Sequence, residues 1–505
     1  MVSIVYSAGL NGLQGYIVQV EADLSDGLPG MELVGYLGSE VKEARERVRM
    51  ALRNSGCPVP LRRITVNLAP ANVRKSGTGY DLGVAVGILK SLQIVNDFST
   101  EDTLFIGELS LSGDLCRING VLPLVLSAYG EGFKRVFLPI DNAMEGAILP
   151  EVEVYGARNL TEVINHLTGI KKIERTQCST TCFDTGNAIY ENDFKNVQGQ
   201  HLAKRGIEVA AAGVHNILLI GPPGSGKSLL SKCIPSILPP LSMEESLEVS
   251  SIYSISGKLN NSESIITTRP FVSPHHTVTE SAMAGGGMHP RAGLISLAHK
   301  GVLFLDEMPE FKRSVLELLR QPLEDKEILI SRSGGNYIYP ANFMLVGAMN
   351  PCPCGMYPDM KRCTCTPTKR RNYMDKLSKP LLDRMDICIE VRDLKYEELK
   401  ENHEQEDSDT VRKRVINAQM LQRQRFDSFM HNSDMSAEMV DKYCVLTNDA
   451  ENVIKQAFER LGLSVRAYHR ILKVARTIAD LDNSDVINSA HIYEALHFRF
   501  AYGSN

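Results

Sequence analysis

Apolar and polar residues follow two rhythms along this chain, and the rhythm changes more than once. In residues 1–168, runs such as Gly15 to Val20, Arg63 to Leu68 and Val136 to Pro139 read as strands. Between the first two, Glu40 to Asn54 carries Val41, Val48, Ala51 and Leu52 on one side and charges on the other, which predicts an amphipathic helix. Residues 169–195 are polar and aperiodic and predict a linker. Within 196–394, the runs Asn216 to Ile220, Gly301 to Leu305 and Phe343 to Met349 alternate with helical stretches. Strands this apolar predict a parallel sheet covered on both faces. Residues 395–505 keep helical periodicity with almost no strand signal and predict an all-α unit of four or five helices. The expected fold is α/β: an α+β first domain, an α/β core and an all-α C-terminal lid. No internal repeat is evident.

The chemistry gathers where the apolar runs end. After Ile220 comes Gly221-Pro222-Pro223-Gly224-Ser225-Gly226-Lys227-Ser228, which fits G-x-x-x-x-G-K-[ST], and Ser228 to Ile234 reads as the helix that follows. Strand, glycine-rich loop and helix form a phosphate cradle: backbone N–H groups reach phosphate oxygens, and the helix N-terminus adds positive partial charge. Lys227 is expected on the β- and γ-phosphates of ATP (or GTP) and the Ser228 hydroxyl on Mg²⁺. The run Gly301 to Leu305 ends in Asp306 and Glu307. Asp306 is expected to hold Mg²⁺ through water, and Glu307 to orient and polarise the attacking water. Phe343 to Met349 ends in Asn350, a candidate to bond that water or sense the γ-phosphate. Arg384 lies between Asp383 and Asp386; it reads as a surface ion pair or, in an oligomeric ATPase, as an arginine finger. Arg466 opens a helix in the C-terminal unit, where it would contact the phosphates in cis.

Composition narrows the setting. Charged residues make up 23% and hydrophobic ones 43% of 505 residues, a balance ordinary for a globular protein of about three domains. The net charge of −5 means that any nucleic-acid contact must come from local patches. No run approaches 18 apolar residues and the N-terminus has no export signal, so a cytoplasmic protein without membrane or lipid contact is expected. The eleven cysteines then read as thiols or metal ligands. Four of them, Cys352, Cys354, Cys363 and Cys365, fall within fourteen residues and suit tetrahedral Zn²⁺, although the C-x-C spacing is tighter than the usual C-x₂-C. Lys361, Arg362, Lys369, Arg370, Arg371, Lys376 and Lys379 follow or interleave, a basic run suited to a phosphodiester backbone. Cys178 and Cys182 are isolated and read as nonfunctional, and His275 and His276 as metal ligands, DNA contacts or packing groups.

Taken in order, the phosphate loop, the Asp306-Glu307 strand end, Asn350, Pro380 to Asp386 and Ser464-Val465-Arg466-Ala467 resemble the AAA+ superfamily. Asn196 to Arg205, Ser273-Pro274-His275-His276-Thr277 and Asn350 to Gly355 resemble its magnesium-chelatase-like branch, and within it the YifB/ComM family, over essentially the whole chain. The resemblance implies an ATP- and Mg²⁺-dependent homo-hexamer in which Arg384 reaches the neighbouring subunit's γ-phosphate. It implies an insertion over 257–298 and a β-hairpin over 328–341 that faces a central pore and grips DNA, with Arg332 a candidate contact. It implies a motor on branched or single-stranded DNA, driving branch migration in recombination or natural transformation. Val34 to Gly169 resembles the Lon-protease C-terminal fold, but the nucleophile position falls on Gly79 and the catalytic-lysine position on Leu122, neither of which can do that chemistry. Lys75 and Ser76 form only a misplaced pair, so the first domain is expected to be noncatalytic. The alternatives are a magnesium-chelatase-type ATPase remodelling a protein partner, a generic remodelling ATPase, and, most disfavoured, a Lon-like protease.

Overall fold

A computed structural model of the chain describes residues 2–95, 100–177, 190–259, 265–287, 291–332, 335–393, 405–428 and 430–500. Two sheets organise it. The first has eight strands, in the spatial order Arg175–Thr176, Glu153–Ala157, Arg135–Pro139, Thr103–Phe105, Ser3–Asn11, Gln14–Ser25, Arg63–Ala69 and Gly30–Val34. Alternation along these strands buries Val5, Val18 and Val20 in one core and Ala8, Leu104 and Val136 in another. Helices Ser39–Asn54 and Asp81–Ser91 cover the first core, and helix Val121–Gly130 the second. Arg175–Thr176 pairs antiparallel with Glu153–Ala157, so the stretch expected to be linker begins as an edge strand. Polarity misled there because an edge strand buries little side chain.

The second sheet has five strands, Phe271–Val272, Val302–Leu305, Met344–Met349, Ile217–Ile220 and Ile387–Glu390 in spatial order, every pair parallel. Ile217 and Leu219 face one core while Leu218 and Ile220 face another, which is why these strands carry no polar alternation. Parallel pairing puts all their C-terminal ends on one edge. Gly221, Asp306 and Asn350 therefore emerge side by side, and Asn216 and Asp386 mark the opposite edge.

Strands Glu327–Arg332 and Gly335–Pro340 form the expected hairpin, with Ile328, Ile330 and Tyr339 buried and Leu329 and Ile338 exposed. The Arg332 side chain lies outside the described residues, as do Cys178 and Cys182. Beyond residue 404 the described chain forms α-helices Ser408–Phe426, Ala437–Tyr443, Asn448–Leu461, Val465–Leu481 and Ser489–Phe500. Four of these begin with a side-chain cap, from Asp407, Ser436, Thr447 and Ser464.

The two sheets are joined through helix Met243–Ile255, which packs on helix Val121–Gly130. Leu122, Ile148 and Ile265 share one apolar cluster across this junction. Gly120 N donates to Ser254 O at 3.2 Å and Arg117 to Leu259 O at 2.6 Å, and the Ser254 hydroxyl bonds Glu145.

Candidate functional site

The loop Gly221–Gly226 leaves strand Ile217–Ile220 and enters helix Lys227–Lys232 through two residues of positive φ, Gly224 at 84° and Gly226 at 90°. Nothing lies within 4 Å of where a Cβ would stand on either glycine, so a ligand can approach their backbone closely. Lys227 is buried, with its ammonium on Gly221 O and Pro222 O at 2.7 Å each and on Asn350 Oδ1 at 3.4 Å. Burial pulls the Lys227 pKa down from its ordinary value, and the nearby charges of Asp306, Asp393 and Glu307 oppose that shift. Among the described residues the buried Ser225 hydroxyl has no partner.

Ser228 Oγ donates to Asp306 Oδ2 at 2.7 Å. A hydroxyl and a carboxylate this close form the oxygen pair a hard divalent cation takes. Glu307 adopts the left-handed region, at φ 48°, with its N–H on Asp306 Oδ1 at 2.9 Å and its carboxylate largely exposed. That conformation is costly for a side chain of this size and recurs where a residue must be aimed. Lys227, Ser228, Asp306, Glu307 and Asn350 thus meet at one edge of the sheet, as the motif spacing predicted.

Two contributors were not legible as such. Gln200, itself left-handed at φ 54°, donates its side-chain amide to Ser225 O at 3.3 Å and Arg392 O at 2.6 Å, tying the start of helix His201–Gly213 to the loop. His276 follows the edge strand Phe271–Val272, stacks on His275 at 4.1 Å and lies 4.0 Å from the Glu307 carboxylate. Its motif was visible in the sequence, but the residue it faces was not.

Arg384 and Arg466 are not part of this cluster. Asp386 N and Ile387 N donate to Asn216 O at 2.9 and 3.1 Å, and Asn216 Nδ2 donates to Arg384 O at 3.0 Å. Arg384 is therefore separated from its own phosphate loop by a full strand, roughly 16 Å at 3.3 Å per residue. Its guanidinium bonds Pro380 O at 2.6 Å and pairs with Glu324, and its Nε has no partner among the described residues. Arg466, expected on the phosphates in cis, opens a helix whose later residues lie at this far edge. Arg470, one turn later in the same helix, pairs with Asp386 at 3.8 Å, and Thr477 bonds His215 at 2.8 Å. These contacts draw the helix to the far edge, where Arg466 is exposed beside Arg384's side of the sheet.

The cysteine quartet does assemble. The four Sγ atoms lie within 4.8 Å of one another, with Cys352–Cys354 at 3.4 Å, Cys352–Cys363 at 3.8 Å and Cys354–Cys363 at 3.7 Å. The Met356 backbone N–H is the main cause that brings the Cys354 thiol down to about 6. Lys361, Arg362, Lys369, Arg371, Lys376 and Lys379, within and just after the quartet in the sequence, are exposed, Lys376 pairs with Glu310 at 3.0 Å, and the Arg370 guanidinium lies 4.3 Å over the Tyr357 ring.

Comparisons with known families cover most of the chain. A family described as "Magnesium chelatase, subunit ChlI" matches residues 193–399, one described as "Subunit ChlI of Mg-chelatase" matches residues 20–142, and one described as "Magnesium chelatase, subunit ChlI C-terminal" matches residues 405–499. The competence protein ComM of Haemophilus influenzae is 40% identical over 503 residues, covering 98% of this chain and 97% of that protein. The YifB protein of Salmonella typhimurium is 40% identical over 502 residues, with the same shares covered. The magnesium-chelatase 38 kDa subunit of Cereibacter sphaeroides is 25% identical over 215 residues, 39% of this chain and 58% of that protein. A phosphate loop at the edge of a parallel sheet, in a chain related to these proteins along nearly its whole length, belongs to the YifB/ComM family of magnesium-chelatase-like AAA+ ATPases.

Proposed function

We propose that the protein is a ring-forming ATP-driven motor on DNA, with ATP, Mg²⁺ and Zn²⁺ as its cofactors. The observation that carries the ring is the split of the ATP machinery between two edges of one sheet. Lys227, Ser228, Asp306, Glu307 and Asn350 stand at one edge, and Arg384 at the other, beyond reach of its own loop. An arginine so placed meets a γ-phosphate only in a neighbouring subunit, and Arg466 shares its side. When bound, Mg²⁺ screens the phosphate charge. Ser228 and Asp306 hold it, Lys227 neutralises the β- and γ-oxygens, Asn350 fixes the γ-phosphate, and Glu307 takes the proton of the attacking water.

DNA as the track is supported by the hairpin Glu327–Pro340 and by the exposed basic residues beside the quartet, which provide phosphate contacts in an otherwise acidic chain. The relative bearing the name competence protein fits branch migration of recombination intermediates. In this reading the first domain, residues 1–168 with the edge strand Arg175–Thr176 added, is a noncatalytic Lon-like module, the ATPase core follows from residue 196, and the described helices beyond residue 404 form a lid. Leu122, where a protease would need its lysine, is buried in the junction with Ile265. The chelatase-type alternative, remodelling of a protein partner, is supported by the chelatase subunit relative.

The test is ATP hydrolysis with and without forked and Holliday-type DNA. Stimulation of several-fold, lost when Lys369, Arg370 and Arg371 are neutralised together, is the expected outcome. No stimulation by any DNA form would favour the protein-remodelling alternative.

A further inference from the structure

The cysteine quartet is not a remote structural knuckle, because it grows directly out of the nucleotide site. Strand Met344–Met349 runs beside Ile217–Ile220, and Gly221 N donates to Met349 O at 3.1 Å. The next residue, Asn350, faces the Lys227 ammonium. Two residues on stands Cys352, fully buried, and two further Cys354.

The turn that follows lies against the phosphate loop itself. Gly355 N donates to Cys352 O at 2.9 Å, closing the turn, and Gly355 has φ 77°. A Cβ on Gly355 would stand 2.4 Å from Pro223 Cδ and 2.8 Å from Pro223 Cγ. Pro223 is the middle of the phosphate loop, so the cysteine turn forms the outer wall of the cradle.

The other two sulfurs come from a loop whose own attachment is separate. Cys363 N donates to Asp359 O at 2.8 Å, and the chain then enters helix Pro367–Met374, whose Thr366 cap accepts from Lys369 N. Tyr373 of that helix is buried and bonds the Asn350 backbone. No disulfide fastens the Cys363-Cys365 loop to the Cys352-Cys354 turn, because all four cysteines are free thiols.

Their spacing specifies what fastens them. Four thiolates around one Zn²⁺, with Zn–S about 2.3 Å in a tetrahedron, stand about 3.8 Å apart. Among Cys352, Cys354 and Cys363 the distances of 3.4, 3.7 and 3.8 Å are near that edge and Cys365 lies within 4.8 Å of them, whereas a disulfide needs about 2.05 Å. A single tetrahedral ion of this ligand set is zinc-like.

We infer that Zn²⁺ in the Cys352-Cys354-Cys363-Cys365 site braces the nucleotide cradle, holding the Gly355 turn against Pro223 and Asn350 toward Lys227, so that metal occupancy sets nucleotide affinity. This rests on the zinc reading given above and adds the coupling to it. Loss of the metal frees the Cys363-Cys365 loop from the turn. The wall over Pro223 then loosens, and the ordering cost is transferred to nucleotide binding.

The experiment uses the full-length protein, elemental analysis for zinc, and equilibrium binding of a fluorescent nonhydrolysable ATP analogue. About one zinc per chain is expected. Zinc withdrawal by an organomercurial, reported by a chromogenic chelator, should weaken analogue binding about tenfold, with affinity restored by thiol and zinc addition. Gly355→Ala separates the contact from the metal: it should keep its zinc and still bind the analogue several-fold more weakly. Protein that carries no zinc, and takes none up, would overturn the zinc reading. Stoichiometric zinc whose removal leaves analogue affinity within twofold, with Gly355→Ala equally unaffected, would keep the metal site and overturn the brace.

Discussion

Two loops in this protein carry polar side chains into the start of a helix, and they have opposite characters. In Lys75 to Asp81 of the first sheet, Asp81 is buried and satisfied by Arg47 at 2.7 and 3.0 Å and by Leu109 N at 3.2 Å. Tyr80 bonds Tyr16 at 3.0 Å, Thr78 bonds Glu108, and the Lys75 ammonium is held by Pro70 O. In Gly221 to Ser228 of the second sheet, the Ser225 hydroxyl has no partner among the described residues and Lys227 is held by carbonyls of its own loop. Ser228 Oγ donates to Asp306 Oδ2, and Asp306 Oδ1 takes the adjacent Glu307 N–H. Polar groups that complete each other's hydrogen bonds build architecture; groups left with unused capacity are poised for a ligand. The difference separates a loop completed as architecture from one left open to a ligand.

Breaking the second loop's side of this comparison should give the largest effects. Arg384→Ala should lower ATP turnover by about 10³-fold, the scale of an arginine finger. Mixing it with Lys227→Ala subunits should restore part of that activity, since each supplies the half the other lacks; a mixture as inactive as its components would contradict the split site. Lys227→Ala alone should reduce turnover by about 10²- to 10³-fold with the fold intact by circular dichroism.

The first loop should respond in stability instead. Arg47→Ala leaves Asp81 buried without its cation and should cost roughly 3 kcal/mol in denaturant unfolding, with ATPase per folded molecule unchanged. A large loss of turnover without destabilisation would mean that the first loop also does chemistry. His431 gives the smallest and most general test. Burial lowers its pKa from 6.5 to about 4, so the unfolded chain binds the proton first. Its contribution is intact above pH 6.5 and is lost as pH falls from 6.5 toward 4. Unfolding at pH 5 should cost about 1 to 2 kcal/mol less than at pH 7, and His431→Gln should flatten that dependence.

What the sequence revealed divides along the same physical line. The phosphate loop, Asp306, Glu307 and Asn350 were legible because each lies within a few residues of its own apolar strand, and parallel pairing alone brings the strand ends together. The hairpin over 328–341 was expected from the family resemblance rather than from periodicity, and it forms. The edge strand Arg175–Thr176, the junction at Leu122 and the place of Arg466 depend on pairings between distant segments. Arg466 shows this most sharply: its motif marks a phosphate contact, but where its helix lies is decided by Arg470 on Asp386 and Thr477 on His215. The proximity of the cysteine turn to Pro223 is likewise a fact of packing, invisible to spacing.

The most direct test of the nucleotide site is Glu307→Gln, read for bound nucleotide and for turnover in the same preparation. Glu307 stands at the strand end beside Asp306, outside the ammonium and hydroxyl contacts that would hold the phosphates. The variant should therefore bind ATP with near-unchanged affinity, retain it unhydrolysed, and turn over at least about 10²-fold more slowly. Hydrolysis at the unaltered rate would contradict the assignment of this site.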